Sequence, residues 1–552
     1  MDKFDFSTDV VVVGSGGAGM TAALTARKNG LEALIVEKTA FFGGSTALSG
    51  GGVWVPNNLY MQKEGIYDSP ELAETYLKAI IGDRVEPARI RAYIDAAPKM
   101  IRFLVEEAGI DLMRTPNSAD YFDEPGSITS GRQLEAVPFN GKLLKEHRAE
   151  LRAGVKMPMG LGLSIGEFLL LGKFKTTAAG RRQLVKFIFT AMGVILSGKE
   201  RLGLGQALAA RLRYALLQAN VPLWLNAPLT KLIEENGRVV GIEIQKEGRP
   251  FTIEARRGVL LGAGGFAKNQ AMREQYLPHP TSAEWSAANP GDTGEAIRLG
   301  IEAGAAVDLM DDAWWGSVFV VPGQDPFFTV GERELPGTMI VDQNGKRFVN
   351  EARPYTEFGH LVYKENDATN KAIPFYMILD QTCRENYLFG SLFPGQAFPK
   401  VYYESGVVKQ ANSLRELAVQ LNMDPNTFEA TLQRFNGLAR GKKDQDFRKG
   451  ETPFEHVYAD PGNWPNPTLA PIEKPPFYAV KMFPGDLGTK GGLLTDENAH
   501  VLDKNGKVIA GLYAAGNNSA AVMGNTYAGG GATIGPAMTF GYLAALDMAK
   551  RA

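Results

Sequence analysis

Four consecutive β-branched residues, Val10 to Val13, carry no polar interruption and predict a strand buried on both faces. The run breaks into Gly14-Ser15-Gly16-Gly17-Ala18-Gly19. It resumes as a helical stretch over Met20 to Lys28, in which Ala22, Ala23 and Ala26 are small enough for close packing, and returns to a strand over Leu31 to Val36, closed by Glu37. Leu72, Tyr76, Leu77 and Ile80, then Ile90, Tyr93, Ile94, Met100 and Leu104, recur at helical spacing and predict amphipathic helices over 70 to 110. A helix over Leu204 to Leu217 leads to β segments at 222–226 and 230–244, with Asn236-Gly237 as a hairpin turn. Gly258 to Phe266 reads as another strand that ends in glycines. From about Trp314 the pattern changes to short β-type segments rich in Trp, Phe and Pro. Val341 to Val349 predicts a hairpin around Asn344-Gly345, Leu414 to Leu438 a helix, and Asp460 to Pro476 a Pro-rich connection. Gly511 to Asn517 repeats the strand-then-glycine theme, and a last helix runs from about Ala532 to Ala549.

The opening pattern of strand, glycine turn, helix, strand and acid is the one that binds a dinucleotide. Gly14 allows the tight turn, Gly16 lets the backbone reach a pyrophosphate, and Gly19 brings helix against sheet. Gly17 and Ala18 open the helix whose N-terminus receives the phosphates, and Glu37, followed by Lys38, is placed for a ribose hydroxyl pair. A second small-residue stretch, Gly43-Gly44-Ser45-Thr46 through Ser49-Gly50-Gly51, follows at once. A flavin uses such a stretch because small residues pass beside its ribityl chain and ring, so the expected dinucleotide is FAD. Gly264, Asp292, Gly516, Asn517, Ala532 and Ile534, at the later strand–glycine turns and helix starts, complete the candidate cofactor contacts. Asp292, just ahead of the helix from Glu295, also reads as a plain helix cap.

Length adds domain organisation: 552 residues suggest two or three domains. The expected division is 1–312 as the first part of the FAD-binding domain, 313–484 as an inserted domain, and 485–552 as the C-terminal part of the first. A net charge of −2 gives no field that would recruit nucleic acid. One cysteine, Cys383, excludes an intramolecular disulfide, and five scattered histidines give no metal-ligand spacing. The polar start runs straight into the first strand without a signal peptide, and no apolar stretch reaches membrane-spanning length, so the expected location is cytoplasmic. One segment departs from this. Residues 140–203 carry twelve Lys and Arg against four Glu, interleaved with the apolar stretches Met157 to Leu171 and Phe187 to Leu196. Basic residues beside apolar stretches suit a peripheral membrane contact. They equally suit a helical pair buried against the body or a second subunit.

Several motifs together resemble the fumarate reductase/succinate dehydrogenase flavoprotein superfamily and, within it, the 3-ketosteroid Δ1-dehydrogenases. They are Gly14 to Gly19 with Glu37-Lys38, Gly43 to Pro56, Lys346 to Tyr355, Pro484 to Gly492, and Gly511 to Met538. The resemblance implies an α/β fold, a Rossmann-like FAD-binding domain with an inserted α+β capping (catalytic) domain, and FAD-dependent 1,2-dehydrogenation of a 3-ketosteroid. Tyr527 stands where the dicarboxylate reductases have a substrate-clamping Arg, and Met523 where they have His. Ser45-Thr46 occupies the place of the His that carries covalent flavin, which implies a non-covalent cofactor. By the same resemblance Tyr527 and the Gly531 N–H hold the C3 carbonyl, Tyr355 takes the C2 proton assisted by Tyr121, and the C1 hydride goes to flavin N5. The electrons leave to a quinone or another acceptor. Desaturation at another ring bond, as in a 3-ketosteroid Δ4-dehydrogenase, or a fumarate reductase-like enone reaction shares the same residues and stays open here.

Overall fold

The computed structural model of the chain describes residues 4–155, 157 and 160–550; Lys156, counted above in the basic segment, lies outside them. Strand Phe6–Val13 sits inside a sheet, with Val10 to Val13 parallel to Ala33–Val36 on one side and to Gly258–Leu261 on the other. Val508–Ala514 continues the parallel order beyond Leu261, and Leu223–Trp224 closes the opposite edge. The long strand Arg249–Leu261 reaches the sheet from an antiparallel meander with Leu229–Glu235 and Arg238–Lys246.

The β-branched run does what its pattern demands, since Val10 and Val12 enter one apolar cluster and Val11 and Val13 the other. All four are at most 5% exposed, so each contributes about 1.5–3 kcal/mol of burial. Helix Gly17–Lys28 covers the first face together with helix Ile534–Lys550. The two approach closely enough that a Cβ on Gly541 would lie 2.4 Å from the Ala18 carbonyl oxygen. Gly19 is tighter still, because its added Cβ would lie 2.0 Å from the Gly14 carbonyl oxygen. Gly19→Ala must therefore push the helix off the strand. The expected result is a loss of about 1–3 kcal/mol in thermal or urea unfolding and a protein purified without yellow colour.

A second sheet, antiparallel throughout, is built from residues 313–489. Its order is Phe327–Thr329, Ala313–Phe319, Phe477–Thr489, Phe375–Asp380 and Thr338–Val341, with Val408–Ala411 also paired to Phe477–Thr489. Alternate residues of Phe375–Asp380 face opposite clusters. Met377 and Leu379 meet Phe358 and Val362 of helix Tyr355–Thr369, and Ile378 meets Phe428 and Leu432.

Three local expectations differ in detail. The stretch 414–438 is two helices, Leu414–Gln420 and Pro425–Arg440, broken where Asn422 turns left-handed (φ +57°) and Asp424 caps the second helix from Oδ2 at 2.8 Å. The hairpin at 341–349 reduces to one bridge, Val341 to Arg347. There the Asp342 carboxylate gathers the Asn344 and Lys346 N–H groups, and the Arg347 side chain turns away to Glu351 and Asp444. Strand Phe477–Thr489 also continues past 484 and keeps pairing through Thr489 with Ala313.

The basic-apolar segment forms helix Ile165–Leu171, opened by a Ser164/Glu167 capping box, and helix Ala178–Ser197, opened by Thr177 and ended by Gly198 (φ +62°). Among the described residues no helix is long and apolar enough to cross a membrane.

Candidate active site

The glycine turn after strand Phe6–Val13 has one closed side and one open side. Cβ atoms on Gly14 or Gly19 would run into backbone at 2.4 and 2.0 Å, whereas one on Gly16 would have a single neighbour, Thr46 Oγ1, at 3.8 Å. Gly16 caps helix Gly17–Lys28 with no side-chain bond. The open side thus lies at a helix N-terminus, where anionic phosphates gain from the dipole and the unpaired amides. This cradle fits the pyrophosphate of FAD.

The second glycine stretch abuts the first. Thr46 Oγ1 accepts the Gly17 N–H at 3.0 Å, and the Gly43 N–H reaches Ser15 Oγ at 3.2 Å. A Cβ on Gly44 would meet Gly16 Cα at 3.5 Å. Ser45 donates to Asp292 Oδ2 at 3.0 Å and accepts the Asn289 N–H, so Asp292 is tied to this turn. Burial pushes the Asp292 carboxyl up to about 7, against the bond from Ser45. Gly264 is left-handed (φ +84°) and lies against that carboxylate. Ser49 supports the turn from below, donating to the Thr46 carbonyl and accepting the Gly51 N–H, and Gly51 packs against Leu204.

Two of the expected cofactor contacts, Glu37 and Lys38, already have protein partners. Glu37 accepts from the Ser15 N–H and hydroxyl through Oε2, and from the Thr39 N–H and hydroxyl through Oε1. Its carboxylate therefore orders the phosphate turn, and a ribose would share it with these four donors. Lys38 turns to Glu295, 2.9 Å away, and Gly50 is exposed with nothing within 4 Å of an added Cβ. Ser15, which joins Glu37 to Gly43, was not singled out from the sequence, although it sits inside the motif.

At the other end, Gly516 (φ +66°), Asn517, Ala532 and Thr533 line a small cavity with Trp314 and Pro536 at the start of helix Ile534–Lys550. Asn517 Oδ1 accepts the Trp314 indole N–H at 3.1 Å. Ile534 and Met538 reach back to Gly17, placing this helix beside the phosphate turn.

Beyond that cavity three phenols from distant parts of the chain converge. Tyr121 follows a buried loop, Tyr355 begins helix Tyr355–Thr369, and Tyr527 precedes the glycine run Gly529-Gly530-Gly531. Their ring centroids lie 5.5 Å apart for Tyr121–Tyr355 and 5.2 Å for each of the other two pairs. They are 4, 6 and 5% exposed, so water does little to stabilise a phenolate on any of them. Burial raises all three pKa values. Tyr121 and Tyr355 lie well above the ordinary phenol, and Tyr527 is raised against the offsetting pull of the Thr533 hydroxyl, Tyr355 and the Gly531 and Thr533 amides. For Tyr355 the charge of Tyr527 adds to burial, and the Tyr121 hydroxyl works the other way, as a donor that lowers it.

The chain locks this arrangement from behind. Arg132, fully buried, makes a two-point pair with Asp68 and a third bond to Asp120 at 2.7 Å, and Asp120 also accepts the Trp54 indole N–H. The Tyr121 N–H bonds the Ala528 carbonyl, joining two of the phenol-bearing segments directly. The glycines at 529–531 are demanded by contact. Added Cβ atoms would strike Trp54 at 2.6 Å, Gln133 at 2.1 Å and the Gly52 backbone at 2.3 Å respectively. Phe454 lies 4.3 Å from the Tyr121 ring, Phe328 edges Tyr355, and Trp314 edges Tyr527 at 5.2 Å. Tyr458, half-buried, adds a fourth phenol, its pKa raised chiefly by desolvation and lowered by the Tyr121 hydroxyl. Of these supporting residues, Gly531, Trp54 and Trp314 fall in stretches the sequence marks, whereas Asp68, Arg132, Phe328, Phe454 and Tyr458 carry no local signal.

Fold and cofactor cradle together define an FAD-dependent enzyme, and the FAD binding domain family matches residues 9–534. Over 99% of this chain and 98% of the relative, the sequence is 44% identical to the 3-oxosteroid 1-dehydrogenase of Mycobacterium tuberculosis. A 3-oxosteroid 1-dehydrogenase of Comamonas testosteroni is 35% identical over 98% of the chain and 96% of the relative. The 3-ketosteroid Δ1-dehydrogenase of Sterolibacterium denitrificans, solved in complex with 1,4-androstadiene-3,17-dione, superimposes with a TM-score of 0.95 and 42% identity, covering 99% of this chain and all of that one. The chain belongs to the 3-oxosteroid 1-dehydrogenase family.

Proposed function

We propose that this enzyme introduces the C1–C2 double bond of a 3-ketosteroid, with Tyr527 and the Gly531 N–H on the C3 oxygen, Tyr355 as base for the C2 proton, and Tyr121 as its hydrogen-bonded assistant. The observation that carries the reading is the convergence of Tyr121, Tyr355 and Tyr527 within about one ring width, with Trp314 and Thr533 joining Tyr527 to the cavity at the start of helix Ile534–Lys550. Removing a proton alpha to a ketone builds negative charge on the carbonyl oxygen. Two fixed donors in a dry site stabilise that charge without reorganising. Tyr121, donating to Tyr355, lowers the cost of the phenolate that accepts the proton. Bound FAD supplies the acceptor for the hydride that leaves C1. Phe454, Phe328 and Trp314 give the site the apolar walls a steroid skeleton requires. The test is incubation of the purified protein with a 3-keto-4-ene steroid and an artificial quinone acceptor. The expected product is the 1,4-dien-3-one, and absence of that product with every such steroid overturns the reading.

A second reading concerns 140–203. Helix Ala178–Ser197 buries only Gly180, Gln183 and Phe187, and leaves Phe189 67%, Ile195 74% and Leu196 84% exposed. The same helix and its flanks carry Arg181, Arg182, Lys186 and Lys199, all exposed. Exposed apolar residues among cations suit an anionic lipid surface, from which a poorly soluble substrate is drawn. The expected result is that the protein floats with vesicles containing an anionic phospholipid, and that Ile195→Glu/Leu196→Glu abolishes flotation while steroid turnover in detergent persists. Absence of flotation, with a dimer by light scattering that the double variant dissociates, would show instead a face between two copies.

A further inference from the structure

The chain passes between its two sheets twice, once at Asp312–Ala313 and once at Thr489–Lys490. The two crossings lie side by side, since Ala313 pairs with Thr489 and the Lys490 N–H bonds the Asp312 carbonyl at 3.0 Å. Their side chains form a buried ion pair, Lys490 Nζ to Asp312 Oδ2 at 2.9 Å, with 0% and 3% side-chain exposure. The same carboxylate reaches two more elements. Oδ1 accepts from Trp315 Nε1 at 2.8 Å and meets His360 Nε2 at 2.7 Å, and Oδ2 accepts from Asn525 Nδ2 at 3.1 Å.

Each partner belongs to an element that carries part of the site. His360 lies on the helix that begins with Tyr355, and Asn525 lies two residues before Tyr527. Lys490 Nζ also stands 5.1 Å from the Trp314 ring centre, and Trp314 packs edge-on against Tyr527. Burial pushes the Asp312 carboxyl up, but Lys490 and His360 outweigh it and hold the group well below the usual carboxylate range. It is therefore a fixed anion at the junction of four segments.

Tyr355 comes from the chain between the two crossings and Tyr527 from the chain after them, so their spacing depends on how the two sheets meet. We propose that Asp312 is a positioning residue: paired with Lys490 across both crossings, it holds the Tyr355 helix and the Tyr527 segment in the register the reaction needs. The proposal rests on the reading that both phenols act on one substrate.

The test uses the FAD-loaded enzyme. Asp312→Asn is expected to lower kcat for the steroid at least roughly tenfold, the loss of one or more charge-assisted bonds, with KM within about threefold. In a Tyr527→Phe background the same substitution is expected to cost less than in the wild type, because the share that acts through Tyr527 is already gone and only the share through Tyr355 remains. Hydrogen exchange should quicken in 355–369 and 523–531 and stay unchanged in 6–13. Asn525→Ala alters an exposed side chain, leaves the ion pair intact and is expected to lower kcat severalfold, so it serves where Asp312→Asn, with Lys490 left unpaired, fails to fold. Unchanged exchange at 523–531, or kcat losses that multiply with those of Tyr527→Phe, overturns the proposal. Should the wild-type enzyme produce no diene, the functional reading fails, and hydrogen exchange still decides whether Asp312 fixes the two segments.

Discussion

Replacing Tyr527 with Phe will lower kcat for a 3-keto-4-ene steroid by roughly 10²–10³-fold, the usual cost of removing one donor from a developing oxyanion, while the protein stays yellow. The ring, which is retained, does the packing: Tyr121 stacks on it at 24° and Trp314 edges it. The hydroxyl, which is lost, takes part in the polar contacts, including a bond from the Thr533 hydroxyl at 3.2 Å. Fold and cofactor binding should therefore survive. The steroid's C3 oxygen carries far more negative charge in the transition state than in the ground state, so KM should change much less than kcat. Steady-state kinetics beside the flavin absorbance measure both. A kcat within threefold of wild type would remove Tyr527 from the oxyanion site.

The cofactor half of this molecule is legible because local rules write it. An unbroken β-branched run, glycines at 14, 16 and 19 and a strand ending at Glu37 specify a buried parallel strand and its helix, whatever the rest of the chain does. Gly14 and Gly19 there answer to backbone of the neighbouring strand or a few residues away, and Gly16 leaves the turn open toward the phosphates. The substrate half is written in long-range coincidences. Tyr121, Tyr355 and Tyr527 are each ordinary in their own windows, and they meet only because the 313–489 sheet is inserted between strands of the first. The family resemblance picked them out; periodicity did not. Arg132 carries no signal for the same reason, and the roles of Trp314 and Lys490, though both lie in marked stretches, could not be read, since a buried charge or indole is recognisable only once its partner from another segment is known. Glu37 shows the converse, where a motif residue found in its expected place turns out to be bonded to Ser15 and Thr39. The break at Asn422 could have been read from the sequence, because Asp424-Pro425 is a helix-start signal inside a continuous apolar period.

Tyr355→Phe should be the more severe change, lowering kcat by roughly 10²–10⁴-fold, the range for loss of a positioned general base, and it separates from Tyr527→Phe by isotope. In heavy water without an electron acceptor, the wild-type enzyme is expected to exchange hydrogen at C2 of a saturated-ring ketosteroid, and Tyr355→Phe to lose that exchange entirely. Tyr527→Phe should keep a slow residue of it, because the base is still present. The pH dependence follows from burial. The Tyr355 pKa in the free enzyme is raised above that of an ordinary phenol by desolvation and then by the Tyr527 charge, with Tyr121 opposing. The neutral form thus predominates throughout the neutral range, and the phenolate fraction grows with each step upward in pH. Wild-type kcat/KM should climb with pH without levelling off below about 10, the value for an unperturbed tyrosine. In Tyr355→Phe the residual rate should be flat over the same range. A variant whose profile still rises in parallel with wild type would assign the base to another phenol, and Tyr458, half-buried beside Tyr121, is the one the site offers.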